Sequence, residues 1–220
     1  TLIQYEVRMA NLEWSVIYND LLVGSAPQTA ADFDRLCMDA QVSAVLSLQH
    51  DEDLRRADLT SADLHRRAAT RGLMMVRCPL RDHDPQDQQR GLLAAVRALH
   101  TLRQQGHRVY VHCTLGVSRA TRVVLAYLTW VDFLSLDEAV SRLHRARPQA
   151  FPLGPAYFAV YEALAVQFAD RIRQRLGERE EWPLDGSDAG PPSSSALWQN
   201  AAREIVREVL TMPENLPAGR

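Results

Sequence analysis

The chain lacks lysine altogether, so all 25 of its basic side chains are arginine, a bias that we attribute to base composition rather than to function. Its three cysteines show neither CxxC nor metal-ligand spacing, which argues against a structural zinc site and favours a reducing compartment. No apolar run approaches the roughly 20 residues that span a bilayer. The net charge of −2 gives no general attraction to nucleic acid or to an anionic membrane, so we expect neither as a partner.

Length and composition are those of one globular domain with an extension. The 220 residues are 46% hydrophobic, which is enough to bury one good core. We expect this domain in residues 1–177, opening at Thr1 without a signal or transit peptide. Residues 178–195 contain the polar run DGSDAGPPSSS and are predicted to form a flexible loop. Apolar residues on roughly one helical face then predict a C-terminal helix within 196–220, packed on the domain.

Strand-like and helix-like segments alternate along the domain. This order predicts an α/β sandwich, in which helices flank a central mixed sheet, with a helical extension at the C terminus. The expected strands are 16–18, 21–23, 42–48, 73–76 and 109–112. The expected helices are 30–40, 62–71, 88–105, 119–131, 136–145, 156–176 and 197–210. Thr29, Ser61 and the capping box that begins at Ser135 predict three of the helix starts.

The run VHCTLGVSRA, from Val111 to Ala120, is the most informative part of the chain. It places Cys113 six residues before Arg119, between a strand and the start of an apolar helix. Arg119 can grip two phosphate oxygens with its planar fork of donors. Arg119, the start of the helix and the backbone N–H groups of the loop together favour the thiolate of Cys113 over the thiol. This thiolate is predicted to attack phosphorus and form a cysteinyl-phosphate. Backbone N–H groups at a helix N-terminus can form an anion cradle, here from Thr114, Leu115, Gly116, Val117 and Ser118.

A proton donor for the leaving alkoxide must accompany this nucleophile. One carboxyl group on a mobile loop can protonate the leaving oxygen and then activate water. The segment Leu80–Pro85 is the natural source, and it offers Asp82 and Asp84. His112 precedes the nucleophile and is expected to order the loop by hydrogen bonds rather than to act as a base. This chemistry calls for no metal ion and no other cofactor.

Several stretches resemble the cysteine-dependent protein tyrosine and dual-specificity phosphatases and, more narrowly, the glucan phosphatases of plants and algae, which dephosphorylate starch. Besides the phosphate loop, they are DLLVGSAPQT (20–29), LSLQHDEDL (46–54), CPLRDHDP (78–85), LAYLTWV (125–131) and RARPQAFP (145–152). Ala120 follows the loop arginine as it does in glucan phosphatases, whereas many dual-specificity phosphatases have Ser or Thr there. The resemblance implies Asp82 as the general acid, with Asp84 as the second choice.

The same resemblance implies a dual-specificity-phosphatase-like catalytic domain in residues 1–177. It also implies hydrolysis of phosphomonoesters on starch-like α-glucan, with phosphorylated α-glucan as the partner and the chloroplast as the location. Some single-domain glucan phosphatases end in a helix that folds back near the active site. We therefore consider the same position for the C-terminal helix of this chain.

Binding of a glucan depends on aromatic rings and hydrogen bonds, because the polymer has no charge except its phosphate. The resemblance implies Trp14 as one such ring, and Trp198 of the C-terminal helix is a candidate for a second. His83 stands beside the general acid, where the family usually has phenylalanine, and is predicted to contact the substrate. Arg56 and Ala57 replace an aromatic pair of the family. The aromatic surface is therefore expected to be thinner than in the family.

Two other functions remain open at this point. A dual-specificity phosphatase for phosphoproteins or phospholipids would use the same machinery, and the thinner aromatic set favours it. The loop interior has no Lys or Arg, which favours instead a substrate with one phosphate on an uncharged carrier. An inactive glucan-binding or protein-binding scaffold would not need to keep Cys113, Asp82 and Arg119. Cys78 is interpreted either as a buried strand residue or as a thiol that pairs reversibly with Cys113 on oxidation.

Overall fold

The computed structural model describes residues 11–178 and 196–212, in which strands alternate with helices as predicted. The strands are β1 (Trp14–Tyr18), β2 (Leu21–Gly24), β3 (Ala44–Gln49), β4 (Met74–Leu80) and β5 (Val109–His112). The helices that precede β5 are α1 (Ala30–Met38), α2 (Asp51–Arg56), α3 (Ser61–Ala69) and α4 (Pro85–Gln104). Those that follow it are α5 (Arg119–Trp130), α6 (Leu136–Ala146), α7 (Pro155–Gln167), α8 (Ala169–Glu178) and α9 (Ala196–Thr211).

The strands form one sheet in the order β1-β2-β5-β3-β4. β1 is antiparallel to β2, whereas the pairs β2–β5, β5–β3 and β3–β4 are parallel. Successive side chains of a strand point to opposite faces, so both faces of the parallel part carry apolar residues. Val45 and Tyr110 pack with α1, α2 and α3, whereas the adjacent Leu46 and Val111 pack with α4 to α7. The α/β sandwich with a mixed central sheet is thus confirmed.

Tertiary contacts move several element boundaries from their predicted positions. β4 continues past the predicted end at Val76 to Leu80, because pairing with β3 carries the extended backbone through a polar stretch. The helix predicted at 156–176 is two helices, α7 and α8, which meet at Phe168. α2 was not predicted. Thr60, rather than Ser61, caps α3, while the predicted caps Thr29 and Ser135 are confirmed.

The last described helix, α9, packs against α8 and against the α4 side of the domain. Ile172 of α8 meets Ile205 of α9 in a small apolar cluster, and Val206 and Leu210 of α9 reach the main core. The flexible loop was predicted at 178–195; Glu178 is the last residue of α8, and the rest of the segment, 179–195, lies outside the described residues. Within residues 11–178 and 196–212, no helix has the length and apolarity needed to cross a bilayer.

Candidate active site

The loop between β5 and α5 lies at the carboxyl end of the parallel strands. Gly116 has φ +69°, a conformation that favours glycine, and a Cβ at this position would lie 2.3 Å from the backbone of Gly24. The backbone N–H of Ala26 donates to the carbonyl oxygen of Thr114 at 3.0 Å. The loop is therefore packed directly on the chain that leaves β2.

A buried arginine outside the loop fixes two more of its carbonyl groups. Arg147, at 3% exposure, donates from Nε to the oxygen of Gly116 at 2.7 Å and from Nη2 to that of Leu115 at 2.8 Å. Because these carbonyl oxygens are bound elsewhere, the loop is left to present its N–H groups to an anion. No local pattern in the sequence indicates this role for Arg147, which follows the helix α6.

Cys113 lies in a pocket of about 470 Å³ and is itself buried. The pocket brings together most of the predicted site residues, which come from the loop, from the segment before α4 and from the start of α5. The lining includes Asp82, His83, Cys113, Leu115, Val117, Ser118 and Arg119. It also includes residues that were not predicted, among them Gln88, Arg122 and Phe151.

Arg119 is buried and forms four hydrogen bonds around the pocket. Its Nη1 donates to Oδ2 of Asp53 at 2.5 Å and to the carbonyl oxygen of Leu80 at 2.9 Å. Its Nη2 donates to Oδ2 of Asp82 at 3.2 Å and to Oγ1 of Thr114 at 3.1 Å. Burial acts to lower the pKa of Arg119, but the hydrogen bond to Asp53 and the nearby negative charges outweigh it, and the pKa is raised. The guanidinium therefore stays charged, with both carboxylates as its partners.

The two aspartates before α4 have different environments. Asp82 lines the pocket, and its half-exposed carboxylate accepts from Arg119 and from the backbone N–H of His83 at 3.2 Å. Asp84 instead caps α4, because its Oδ1 accepts from the backbone N–H of Asp87 at 2.9 Å. His83 has φ +56° and a side chain that is 95% exposed at the edge of the pocket. Only Asp82 of the two candidate acids thus faces the nucleophile's pocket.

His112 is completely buried below the loop. Its Nδ1 lies 3.1 Å from the carbonyl oxygen of Cys113, and its ring stacks on Tyr110 with centroids 5.8 Å apart. A carbonyl oxygen can only accept, so Nδ1 carries the hydrogen. Burial lowers the pKa of His112 to about 4, which leaves the imidazole neutral near pH 7. This geometry fits a residue that orders the loop.

Neither predicted tryptophan lines the Cys113 pocket. Trp14 is half-buried in β1, with the guanidinium of Arg35 5.0 Å from its ring centroid, and lies in a separate cleft with Arg147. Trp198 is 9% exposed and belongs to the apolar cluster between α8 and α9. The apolar face of α9 is used to pack on α8, so the expectation that Trp198 adds a ring at this pocket is wrong.

An aromatic ring that the sequence reasoning missed stands at the pocket instead. Phe151 is 67% exposed, and Leu115 beside it in the lining is 54% exposed. The backbone N–H of Phe151 donates to the carbonyl oxygen of Val117 at 2.7 Å, which ties it to the phosphate loop. No periodicity marks Phe151, because it lies in the irregular segment between α6 and α7.

Cys78 lies in β4 and is half-buried. Burial raises the pKa of its thiol. Since the thiolate is the attacking form in disulfide exchange, this environment opposes the role of a resolving thiol. Pairing between Cys78 and Cys113 stays a prediction.

The chain belongs to the dual specificity phosphatase catalytic domain family, whose model matches residues 32–163, more than half of the chain. The matched range contains Asp82, Cys113 and Arg119, the three pocket residues that the sequence indicated as catalytic. The chain is similar to the phosphoglucan phosphatase LSF1 of Arabidopsis thaliana, described as chloroplastic, with 31% identity over 62% of this chain and 24% of that protein. It is similar to the phosphoglucan phosphatase DSP4 of Castanea sativa, described as amyloplastic, with 34% identity over 64% of this chain and 38% of that protein.

The chain thus spans well under half the length of these two relatives. Among solved structures, it is similar to Tk-PTP in its active form, with a TM-score of 0.54 and 23% identity. That alignment covers 69% of this chain and 95% of Tk-PTP, and it supports the fold.

Proposed function

We propose that this chain is a glucan phosphatase that hydrolyses phosphomonoesters on starch-like α-glucan in plastids. The observation that carries the proposal is the pocket that joins Cys113, Arg119 and Asp82 below an exposed aromatic ring. Similarity to two plant phosphoglucan phosphatases supports the substrate class and the location.

In the proposed mechanism the thiolate of Cys113 attacks phosphorus, and the bond to the glucosyl oxygen breaks. Asp82 gives its proton to the leaving oxygen. A water molecule then attacks the cysteinyl-phosphate, Asp82 takes a proton from this water, and inorganic phosphate leaves with the thiolate restored. Arg119 and the loop N–H groups bind the phosphoryl oxygens throughout. A phosphoryl group that enters the pocket competes with Asp82 for the Arg119 guanidinium, which releases the carboxyl group for proton transfer.

The mouth of the pocket suits a neutral sugar. Phe151 and Leu115 expose apolar surface against which the face of a glucose ring can pack, and His83 adds an exposed hydrogen-bonding ring. Phe151 thus takes the place that was expected for Trp198. Trp14, in the cleft beside Arg147, is left as a candidate for contact with a more distant part of the glucan chain.

The test compares phosphate release from phosphorylated amylopectin, a phosphopeptide and a small aryl phosphate. We expect Phe151→Ala to weaken binding to amylopectin and to slow its dephosphorylation about 3- to 10-fold, since about 25–55 Å² of apolar surface covered by a sugar ring contributes roughly 0.6–1.4 kcal/mol. Phe158→Ala removes another exposed ring that does not line the pocket and serves as the control. Faster turnover of the phosphopeptide than of amylopectin by the unmodified chain would contradict the proposal.

A phosphatase for phosphoproteins or phospholipids is the second candidate. Arg122 favours it, because its guanidinium, although bound to neutral groups of the protein, adds a second positive charge to the field of a pocket whose loop interior is neutral. The burial of Trp198, which leaves the pocket with fewer aromatic rings than expected, acts in the same direction. An idle scaffold is the third candidate, and measurable phosphate release from any of the three substrates would exclude it.

A further inference from the structure

Arg122 is a buried cation that the proposed chemistry does not use. It is 7% exposed, although it lines the pocket of Cys113. Burial lowers the pKa of its guanidinium, while the nearby Asp82 and Cys113 act to raise it. A charge in such a place needs several well-placed partners, since burying an incompletely bonded guanidinium is costly.

The partners of Arg122 come from three separate segments. Nη2 donates to Oγ of Ser118, the last residue of the phosphate loop, at 3.2 Å. Nε donates to the carbonyl oxygen of Pro152 at 3.1 Å, and Nη1 donates to Oε1 of Gln88 in α4. Gly154 lies directly against the guanidinium, because a Cβ at Gly154 would be 2.7 Å from Nη2. Arg122 is therefore held in one position.

Gln88 continues this connection to the segment that carries the proposed acid. It is 5% exposed, and its Nε2 donates to the carbonyl oxygen of Arg81 at 2.8 Å. Only one orientation of the Gln88 amide satisfies both neighbours, because Arg122 offers only donors and the Arg81 carbonyl only an acceptor. The backbone N–H of Arg81 donates to Asp87 at 2.7 Å, so both polar groups of the Arg81 backbone are bound.

The residue after Arg81 is Asp82. A continuous path thus runs from the phosphate loop at Ser118 through Arg122 and Gln88 to the backbone that carries the acid. We propose that Arg122 and Gln88, together called the Arg122–Gln88 bridge, are positioning residues that hold Asp82 at the correct place for proton transfer. This inference rests on the proposed role of Asp82, but it is independent of the glucan as substrate.

The test is Gln88→Glu, which keeps an acceptor for Arg122 and replaces the donor to the Arg81 carbonyl with a second acceptor. Gln89→Glu makes the same chemical change one residue further along α4, at an exposed position, and is the matched control. The measurement is kcat/KM for a series of phosphomonoesters, from an activated aryl phosphate to a simple alkyl phosphate. Alkoxide leaving groups need the proton from the acid, whereas an activated phenolate scarcely does.

We expect Gln88→Glu to lower kcat/KM for the alkyl phosphate about 10- to 100-fold, as part of the 10²–10⁴ that a positioned acid contributes. The activated aryl phosphate should lose less than about threefold, and Gln89→Glu should change neither rate. Arg122→Met, which keeps the stem of the side chain, should show the same dependence on the leaving group. Asp82→Ala should show it more strongly.

If Gln88→Glu lowers kcat/KM equally for the alkyl and the aryl phosphate, the pocket is damaged in general and the inference is overturned. The inference is also overturned if kcat/KM changes for neither substrate. If Arg122→Met fails to fold, Gln88→Glu still decides the question. Absence of glucan hydrolysis in the unmodified chain, with alkyl and aryl phosphates turned over normally, would instead refute the proposed substrate and leave the positioning role intact.

Discussion

Gly116→Ala tests how rigidly the phosphate loop is built. The added methyl group meets two independent costs. At φ +69° an alanine costs about 1–2 kcal/mol. Its Cβ would also stand 2.3 Å from the carbonyl carbon and oxygen of Gly24, an overlap of the kind that costs about 1–3 kcal/mol in a packed interior. We therefore expect the variant to lose about 2–5 kcal/mol of unfolding free energy.

Gly24 and Gly116 are both closely held by their other neighbours. A Cβ on Gly24 would lie 2.1 Å from the carbonyl oxygen of Glu13 and 2.4 Å from the hydroxyl oxygen of Tyr110, so the backbone of Gly24 is also closely packed against these two residues. Arg147 holds the carbonyl group of Gly116 at 2.7 Å. The overlap can therefore be removed only if the phosphate loop and its N–H groups move. A displacement near 1 Å can lower turnover about 10²-fold.

Gly72→Ala is the matched control, because Gly72 has the same φ of +69°, but no atom lies within 4 Å of the place that its added methyl group would take. It should lose only the backbone cost of about 1–2 kcal/mol and keep its turnover. Urea denaturation measures the stability of both variants, and release of phosphate from an activated aryl phosphate measures their turnover. Equal stability and equal activity of the two variants would refute the idea that Gly24 and Gly116 are in obligatory contact.

Three further predictions concern single side chains of the site. Cys113→Ser should abolish phosphate release from every substrate with little change in unfolding temperature, and residual turnover would exclude a cysteinyl-phosphate. Asp82→Ala should slow the hydrolysis of alkyl phosphates about 10²–10⁴-fold. Asp84→Ala should mainly lower the free energy of unfolding, by about 0.5–2 kcal/mol, because α4 loses its N-terminal cap. A larger loss of activity in Asp84→Ala than in Asp82→Ala would mean that Asp84 is the acid. Burial lowers the pKa of His112 to about 4, against about 6.5 in an unfolded chain. The unfolded state therefore binds the proton first, and about 3 kcal/mol of stability should disappear between about pH 6.5 and pH 4. Chemical denaturation across this pH range should show that the unfolding free energy of His112→Asn does not fall by this amount. If it falls as steeply with decreasing pH as that of the unmodified chain, His112 is not the group responsible.

The phosphate loop could be predicted because all its parts are contiguous. A strand, a cysteine, a glycine and an arginine at the start of a helix carry their chemistry within one short run of the chain, and the structure places them between β5 and α5. The sheet could be predicted for a similar reason, since each strand is a short apolar run. β4 is the exception at its end, because Arg77 and Pro79 interrupt the apolar pattern and only pairing with β3 keeps the chain extended.

The partners of the loop could not be predicted from the sequence. Asp53, Gln88, Arg122 and Arg147 are polar residues in or beside helices, and nothing in their local pattern separates them from solvent-exposed ones. Their burial follows from the tertiary fold, which brings each of them to the loop from a different element. The misplacement of Trp198 has the same origin, because the apolar face of a helix predicts that it packs but not which surface it covers.

The two buried guanidinium groups of the pocket differ in what they bind, and this difference separates their functions. Arg119 faces the carboxylates of Asp53 and Asp82, which are anions that an incoming phosphoryl group can partly replace. Arg122 faces neutral acceptors, among them the amide of Gln88, which a substrate does not displace. The first arrangement suits a ligand site and the second a permanent structural link. The ammonium of lysine would serve the second role poorly, because three acceptors in separate directions match the planar fork of a guanidinium rather than a point charge.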